Sequence, residues 1–372
     1  MRRFVSSASA ITTSLLCLAT AGPAGAQISW SGAQWSVEAQ ESAVEQHEGR
    51  QALMLRNGVA WLDGVDFRDG VVEFDLFASA QLGFYGVAFR VNDAGDFEHF
   101  YVRPFLSGNP DATQYTPVFN NVSGWQLYGS PRFAQQATVP TDQWVRVRLA
   151  ISGQRLEVRI GNDTLVYPEL IRPGSGGRIG ITSSGAPARF ANATVTRGAP
   201  AGMTTAAGAP RDTAPAGIVT EWRVSSPFPE SRLDPMHALD AAAWKDLTWT
   251  RLSSEGWGFA NLARLAGIAE GRNTVFAAVV IRAEQAGPMR ARFGFSDRVQ
   301  VILNGRTIYL GSDGWRSRDY KFLGTVGLHD ELILPLRAGD NELWFAVSES
   351  FGGWGVALQL PDGIGRVVPP SR

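Results

Sequence analysis

From Val71 to Tyr128 apolar and polar residues alternate with a period of two, segment after segment. Each segment stops at glycine, proline, asparagine or aspartate, as at Asp69-Gly70 and Asn92-Asp93-Ala94-Gly95-Asp96. A period of two places alternate side chains on opposite faces of a strand and cannot present one apolar stripe on a helix. Short strands at even spacing, with turn residues between them, must bury one face against a second layer. The same writing recurs at Gln51–Arg56, Val59–Leu62, Trp144–Ile151, Arg155–Ile160, Arg178–Thr182 and Phe190–Val195. It returns at Val275–Ile281, Ala291–Phe295, Val299–Leu303, Asn341–Val347 and Trp354–Gln359. Helix-like pieces are short: Pro235–Leu239 and Ala241–Leu247.

One stretch breaks the pattern. Residues 198–217 are almost entirely Gly, Ala, Pro and Thr, and such a run buries too little to offset its ordering entropy. The expected architecture is therefore all-β, with two β-sandwich (jelly-roll) domains, 27–197 and 218–368, joined by a flexible linker. Before them, Arg2 and Arg3, the apolar run Ile11–Ala19 and Ala24-Gly25-Ala26 have the tripartite order of a signal peptide over residues 1–26. The expected location is secreted or periplasmic. The only cysteine, Cys17, lies inside that segment, so the mature chain has no disulfide or thiolate metal site.

The chain carries 34 basic and 35 acidic residues, and the signal segment holds two arginines and no acid. That leaves a mature net charge of −3. No basic patch points to nucleic acid, and no apolar run is long enough for a helical membrane span. Four histidines, His47, His99, His237 and His329, are scattered without zinc-ligand spacing. A nucleophile elbow and a phosphate-binding loop are both absent.

At Gly70–Leu76, Gly86–Arg90 and Phe100–Pro104, and again at Arg178–Ile181 and Ala188–Asn192, the first block resembles the concanavalin A-like superfamily. Within it, the block is most similar to laminin-G-like and 3-keto-disaccharide hydrolase type domains. The second block resembles galactose-binding-like jelly rolls, through Trp222–Phe228, Val301–Arg306, Leu336–Leu343 and Gly352–Gly355. Asn304-Gly305 is in addition a hairpin signal in its own right, because both residues accept positive φ. The first resemblance implies a sandwich whose concave face carries the ligand. Its superfamily hosts lectins, glycosidases and adhesion modules alike.

Three carboxylates are catalytic candidates, because glycoside hydrolysis needs two carboxyl groups flanking one bond. Glu73 and Asp75 alternate onto one strand face, similar to the Glu-x-Asp-x-x-Glu strand of laminarinase-type glycosidases, although Ala78 occupies the second glutamate position. The other reading of this pair is a solvated polar strand face, or one paired with Arg90. Glu98 supplies a third carboxylate from a neighbouring strand. In keto-disaccharide hydrolase type domains an amide stands two positions after that acid; here it is Phe100.

The ligand-binding candidates are Arg90, His99, Tyr101 and Arg103, together with Gln114, Tyr115, Asn120 and Trp125 from the segment 107–128. Alternation puts His99, Tyr101 and Arg103 on one face, expected to open outward, with Glu98, Phe100 and Val102 on the other. Planar donors beside an aromatic ring suit a sugar. Trp257, Trp315, Phe351 and Trp354 sit beside glycines, and Trp315 and Trp354 are the candidates for exposed platforms. Asp93 and Asp96 are candidate calcium ligands; no other cofactor is implied. The expected function is a secreted, non-catalytic protein that binds a carbohydrate or glycoconjugate. The competing expectation is a hydrolase or lyase of the 3-keto-disaccharide hydrolase type.

Overall fold

The computed structural model of the protein describes residues 26–172, 174–234, 241–314, 317, 325–361 and 367–368. The expected signal segment up to residue 25, the helix-like piece at 235–239, Cys17, His237 and Trp315 lie outside the described residues.

The chain is all-β, as expected. Its first fourteen strands are β1 (Ala26–Trp30), β2 (Ala33–His47), β3 (Arg50–Leu62), β4 (Gly70–Ala78), β5 (Gly83–Val91), β6 (Phe97–Val102), β7 (Thr113–Phe119), β8 (Val122–Ser123), β9 (Ala134–Gln135), β10 (Trp144–Ser152), β11 (Arg155–Ile160), β12 (Asp163–Tyr167), β13 (Arg178–Gly185) and β14 (Ala188–Arg197). They form one antiparallel sheet that curls into two layers. Its main path runs β12-β11-β10-β4-β14-β3-β13-β5-β6-β7-β8, with β2 on the other side of β3.

The long strand β3 belongs to both layers. Its first half, Ala52–Leu55, pairs with β14, and its second half, Gly58–Trp61, pairs with β13. The change of layer falls at Asn57, whose φ of 47° is one a short amide side chain tolerates. Its side-chain oxygen accepts the Gly185 N–H at 2.8 Å and its amide donates to Gln40 at 2.7 Å. Gly58 follows because β2 presses in. A Cβ there would stand 2.2 Å from the Glu38 carbonyl oxygen.

Alternation fills the space between the layers. On β4, Val72, Phe74 and Leu76 point inward and meet Leu53, Leu55, Val87, Phe89, Phe100, Val102 and Phe190. Burying each such side chain contributes roughly 1.5–3 kcal/mol.

Two further sheets make the second sandwich. One contains 221–225, 249–253, 274–283, 298–303, 306–312 and 339–348; the other contains 260–261, 287–296, 330–336 and 355–359. They close over Trp222, Phe293, Phe295, Phe345 and Trp354. Asn304 and Gly305 turn the expected hairpin with φ of 51° and 80°.

Two features depart from the picture of free modules on a mobile tether. First, residues 201–212 lie as a strap on the first sandwich. Arg159 donates to Gly202 O at 2.8 Å, Arg155 to Thr204 O at 3.1 Å and to Ala206 O, and Arg132 to Ala209 O at 2.9 Å. A run poor in side chains still offers carbonyl oxygens, and the arginines of β11 hold them. Second, the segment 119–133 docks on the second sandwich. Phe119 and Val122 belong to the second core, while Trp257 and Phe259 pack against the first. Tyr128 donates to Glu255 at 3.1 Å, Asn120 to Ala263 O at 2.8 Å, and Ser296 to Gln126 at 2.9 Å.

Candidate functional site

Of the three catalytic candidates two sit together and the third lies apart. Glu73 and Asp75 share the outer face of β4, opposite the arginines of β10 and not Arg90. Arg146 lies 3.6 Å from Glu73 and 3.3 Å from Asp75, and Arg148 lies 3.7 Å from Glu73. Asp75 also pairs with Arg50 and accepts Asn192 Nδ2 at 2.6 Å. Glu98 sits in the core behind the other layer, fully buried. Glu98 therefore flanks no common bond with either of them, while Glu73 and Asp75, side by side, are each held in ion pairs with arginine.

Glu98 closes an internal network. Tyr115 donates its hydroxyl to Glu98 at 2.6 Å and accepts the Ile171 N–H at 2.6 Å; the Arg172 N–H reaches Glu98 at 3.1 Å. Burial pushes the Glu98 carboxyl up to about 7 against the pull of Tyr115, Arg172 and Arg90. Burial likewise drives the Tyr115 hydroxyl well above its ordinary value.

Arg90 was expected to face a ligand and is instead fully buried. The register between β5 and β13 slips where Arg178 opposes Val91 but Gly180 opposes Ala88. The extra residue is a bulge that turns Arg90 inward beside Phe89. Its φ is 56°, which costs a side-chain-bearing residue on the order of 1–3 kcal/mol. Hydrogen bonds hold it there: to Arg68 O at 2.8 Å, Gly153 O at 2.6 Å and Asp69 at 3.1 Å.

His99, Tyr101 and Arg103 do lie on the face away from the core, as alternation required, but they are not open. Their exposures are 8%, 2% and 6%. Tyr101 donates to Gln114 Oε1 at 2.8 Å, and Arg103 donates to the same oxygen and to Asp111 O at 2.5 Å. Gln114 in turn donates to the carbonyls of Trp125 and Tyr128 at 2.9 and 2.7 Å. These polar atoms pin the 125–128 loop and have little left for a ligand. His99 meets Thr182 at 3.0 Å, and burial pushes its pKa down to about 3. Trp125 stacks on Phe351 at 5.8 Å between the sandwiches, and Trp354 is fully buried. Asn120 is spent on the interface bond to Ala263. The expected row of sugar-facing groups is thus a structural brace.

An open cleft exists further along the same face, where β3, β13 and the end of β5 meet. It encloses about 860 Å3, and Trp61 and Arg178 are its central side chains. Trp61 alternates away from the core, next to inward-facing Ala60. Its ring lies over Gly180, where a Cβ would stand 2.5 Å from ring carbon Cε3. The Arg178 guanidinium covers the ring at 4.5 Å, a cation–π contact. Trp61 is 4% exposed, and its Nε1 finds no hydrogen-bond partner among the described residues. Around this pair stand Glu38, Asp63, Asp66, Asn92 and Asp93. Asp63 accepts the Ser36 hydroxyl at 2.6 Å. Asn92 Oδ1 takes the N–H groups of Ala94 and Asp96, which fixes the turn that carries Asp93.

Asp96 points elsewhere and accepts the Asn120 N–H at 2.8 Å. Among the described residues no group of three or more His, Cys, Asp or Glu gathers for a metal, so the expected calcium pair Asp93 and Asp96 is not brought together as a cage. Sequence reasoning passed over Trp61, Asp63, Asp66 and Arg178. The available signal was a tryptophan on the non-core side of an alternating strand, followed at once by Asp63-Gly64-Val65-Asp66.

No helix among the described residues is long and apolar enough to cross a membrane. No family model matches the chain, and no curated protein matches it. Among solved structures the chain is similar to a carbohydrate-binding module from Bacillus subtilis, at 14% identity over 43% of this chain and 94% of that one, with a TM-score of 0.35. A β-glucanase from Bacillus licheniformis is 8% identical over 44% of this chain and 92% of that one, with a TM-score of 0.33. A putative glycosyl hydrolase from Parabacteroides distasonis is 10% identical over 43% and 87%, with a TM-score of 0.32. At such scores the likeness assigns neither a site nor a ligand to this chain.

Proposed function

We propose that the protein is a non-catalytic, secreted or periplasmic carbohydrate-binding protein whose ligand enters the Trp61–Arg178 cleft. In this reading the first sandwich is of the concanavalin A-like, laminin-G-like kind and the second is galactose-binding-like. The observation that carries it is the cleft itself. The exposed Arg178 guanidinium stands among carboxylates and an amide at its rim, over the buried Trp61 indole that forms part of its wall. A sugar's hydroxyl groups suit carboxylates, amides and a guanidinium. The cleft volume falls within the range of small-ligand pockets, roughly 300–1,000 Å3. The burial of Glu98 away from Glu73 and Asp75, and the engagement of those two by Arg50, Arg146 and Arg148, support binding over hydrolysis.

The test is a glycan array with the full chain, followed by titration of any glycan retained, read by indole fluorescence. Arg178→Ala is expected to weaken binding at least about tenfold, since hydrogen bonds to a charged group are the stronger ones. Tyr101→Ala is expected to lower stability and leave the affinity of the folded protein unchanged. An unchanged affinity in Arg178→Ala would overturn the reading.

A further inference from the structure

We infer that Glu98 is a proton-operated latch on the cleft: ionised, it holds one wall of the cleft in place, and protonated, it lets that wall slacken. As regulation of a binding site the inference rests on the carbohydrate-binding reading; as a property of the wall it stands without it.

Three stretches of chain make most of the cleft wall: residues 61–66, 91–93 and 176–178. All three are tied to one buried polar cluster. Arg90, beside Val91, donates to Arg68 O at 2.8 Å and to Asp69 at 3.1 Å, just past the first stretch. Gly177 O accepts the Phe67 N–H at 2.8 Å, and a Cβ on Gly177 would stand 2.5 Å from Val91 O. Upstream of the third stretch, the Arg172 guanidinium donates to Arg90 O at 3.0 Å. The main chain there hangs on Glu98 and Tyr115. The Arg172 N–H goes to Glu98 Oε1 at 3.1 Å and the Ile171 N–H to the Tyr115 hydroxyl at 2.6 Å.

These donors suit a carboxylate and not a carboxylic acid. Glu98 Oε2 already takes the Tyr115 O–H at 2.6 Å, and Oε1 takes the Arg172 N–H. Arg90 Nη1 stands 4.0 Å from Oε1, fully buried and with no hydrogen-bond partner among the described residues. An added proton occupies one of the two carboxyl oxygens and must push aside a donor. It also removes the charge that Arg90 and Arg172 face. The groups around the carboxyl are Arg90 on β5, Tyr115 on β7 and Arg172, with Asp69 behind Arg90. Burial opposes the charge and brings the carboxyl up to about 7, so the change of state falls near neutral pH. His99, on the opposite face of β6, is held down to about 3 by burial and stays neutral there. Losing one charge-assisted hydrogen bond changes the opening of the wall about fivefold.

The test is amide hydrogen exchange of the full chain from about pH 6 to about pH 8, corrected for the intrinsic rate and needing no sugar. Protection of residues 171–172 and 174–178 is expected to rise about fivefold with a midpoint at about 7. Ionising Glu98 lowers global stability over the same range, so a general change in stability runs the other way. In Glu98→Gln, which is neutral at every pH, the rise is expected to vanish and protection to stay at its low-pH level. Should that variant fail to fold, carbon-13 titration of the Glu98 carboxyl in the unaltered chain is the second measurement, and its midpoint should equal that of the exchange.

Flat protection in the unaltered chain would overturn the latch. So would a rise that survives in Glu98→Gln, or a Glu98 midpoint away from that of the wall. Each of these results leaves the carbohydrate reading standing. A glycan array without a hit would overturn that reading, while the exchange series still decides the latch.

Discussion

Glu98 and His99 are neighbours on β6 that face opposite sides of the sheet, and burial moves their proton affinities in opposite directions. Glu98 is raised from an ordinary 4.5 to about 7, and His99 is lowered from 6.5 to about 3. A raised carboxyl favours the fold below its unfolded value, and that contribution is lost as pH climbs through 7. A depressed histidine favours the fold above 6.5, and that contribution is lost as pH falls towards 3. Between 4.5 and 6.5 the unfolded pair holds one proton, on His99, and the folded pair also holds one, on Glu98. Their contributions to the pH slope therefore cancel in that window. Each single variant uncovers the other residue's slope, about 1.4 kcal/mol per pH unit. In Glu98→Gln stability should rise with pH across the window, and in His99→Gln it should fall. Urea melts at several pH values read both signs; parallel curves in the two variants would refute the assignment.

At the scale of elements, two devices shape the site, the layer change in β3 and the bulge in β5, while the strap lies elsewhere on the first sandwich. Gly180 on β13 gives Trp61 its bed. Gly180→Ala should lift the ring, cost about 1–3 kcal/mol in a urea melt and displace the Arg178 guanidinium that lies over it. The strap is held chiefly through side chains of the first sandwich. Arg155→Ala with Arg159→Ala should free residues 201–206, seen as rapid limited proteolysis there with a stability loss of about 1 kcal/mol. Alternation made the faces legible in the sequence: Glu98, Phe100 and Val102 inside, His99 and Tyr101 outside. Exposure was not legible, because it is decided by partners brought from elsewhere. Gln114 and the Asp111 carbonyl consume the donors of Tyr101 and Arg103, and the carbonyls of Trp125 and Tyr128 consume those of Gln114. The β5 bulge, a one-residue slip against a distant strand, turned Arg90 inward, and no local pattern announces such a slip. The cleft was hidden for the same reason. Trp61 and Arg178 lie far apart in sequence and meet only because β3 and β13 are neighbours.

At the scale of the whole molecule, the all-β architecture follows from turn spacing, but the joining of its halves does not. The segment 119–133 reads as a polar loop, yet Phe119 and Val122 seat in the second core. A shared interface of this kind should make the two sandwiches unfold together. Calorimetry is expected to show one transition for the native chain. Phe119→Ala should cost about 3 kcal/mol and separate it into two. Two well-resolved transitions in the unaltered protein would show that the halves are energetically independent.

The strand common to both layers has a mechanical consequence. A polymer held in the cleft and drawn in the direction of β3 would load that strand, which carries part of the cleft wall. Tension would then pass down one covalent backbone into the ladders with β2, β13 and β14 at once. Those ladders would be loaded in parallel and in shear, so the grip would resist detachment by drag better than a site on a terminal strand peeled one bond at a time.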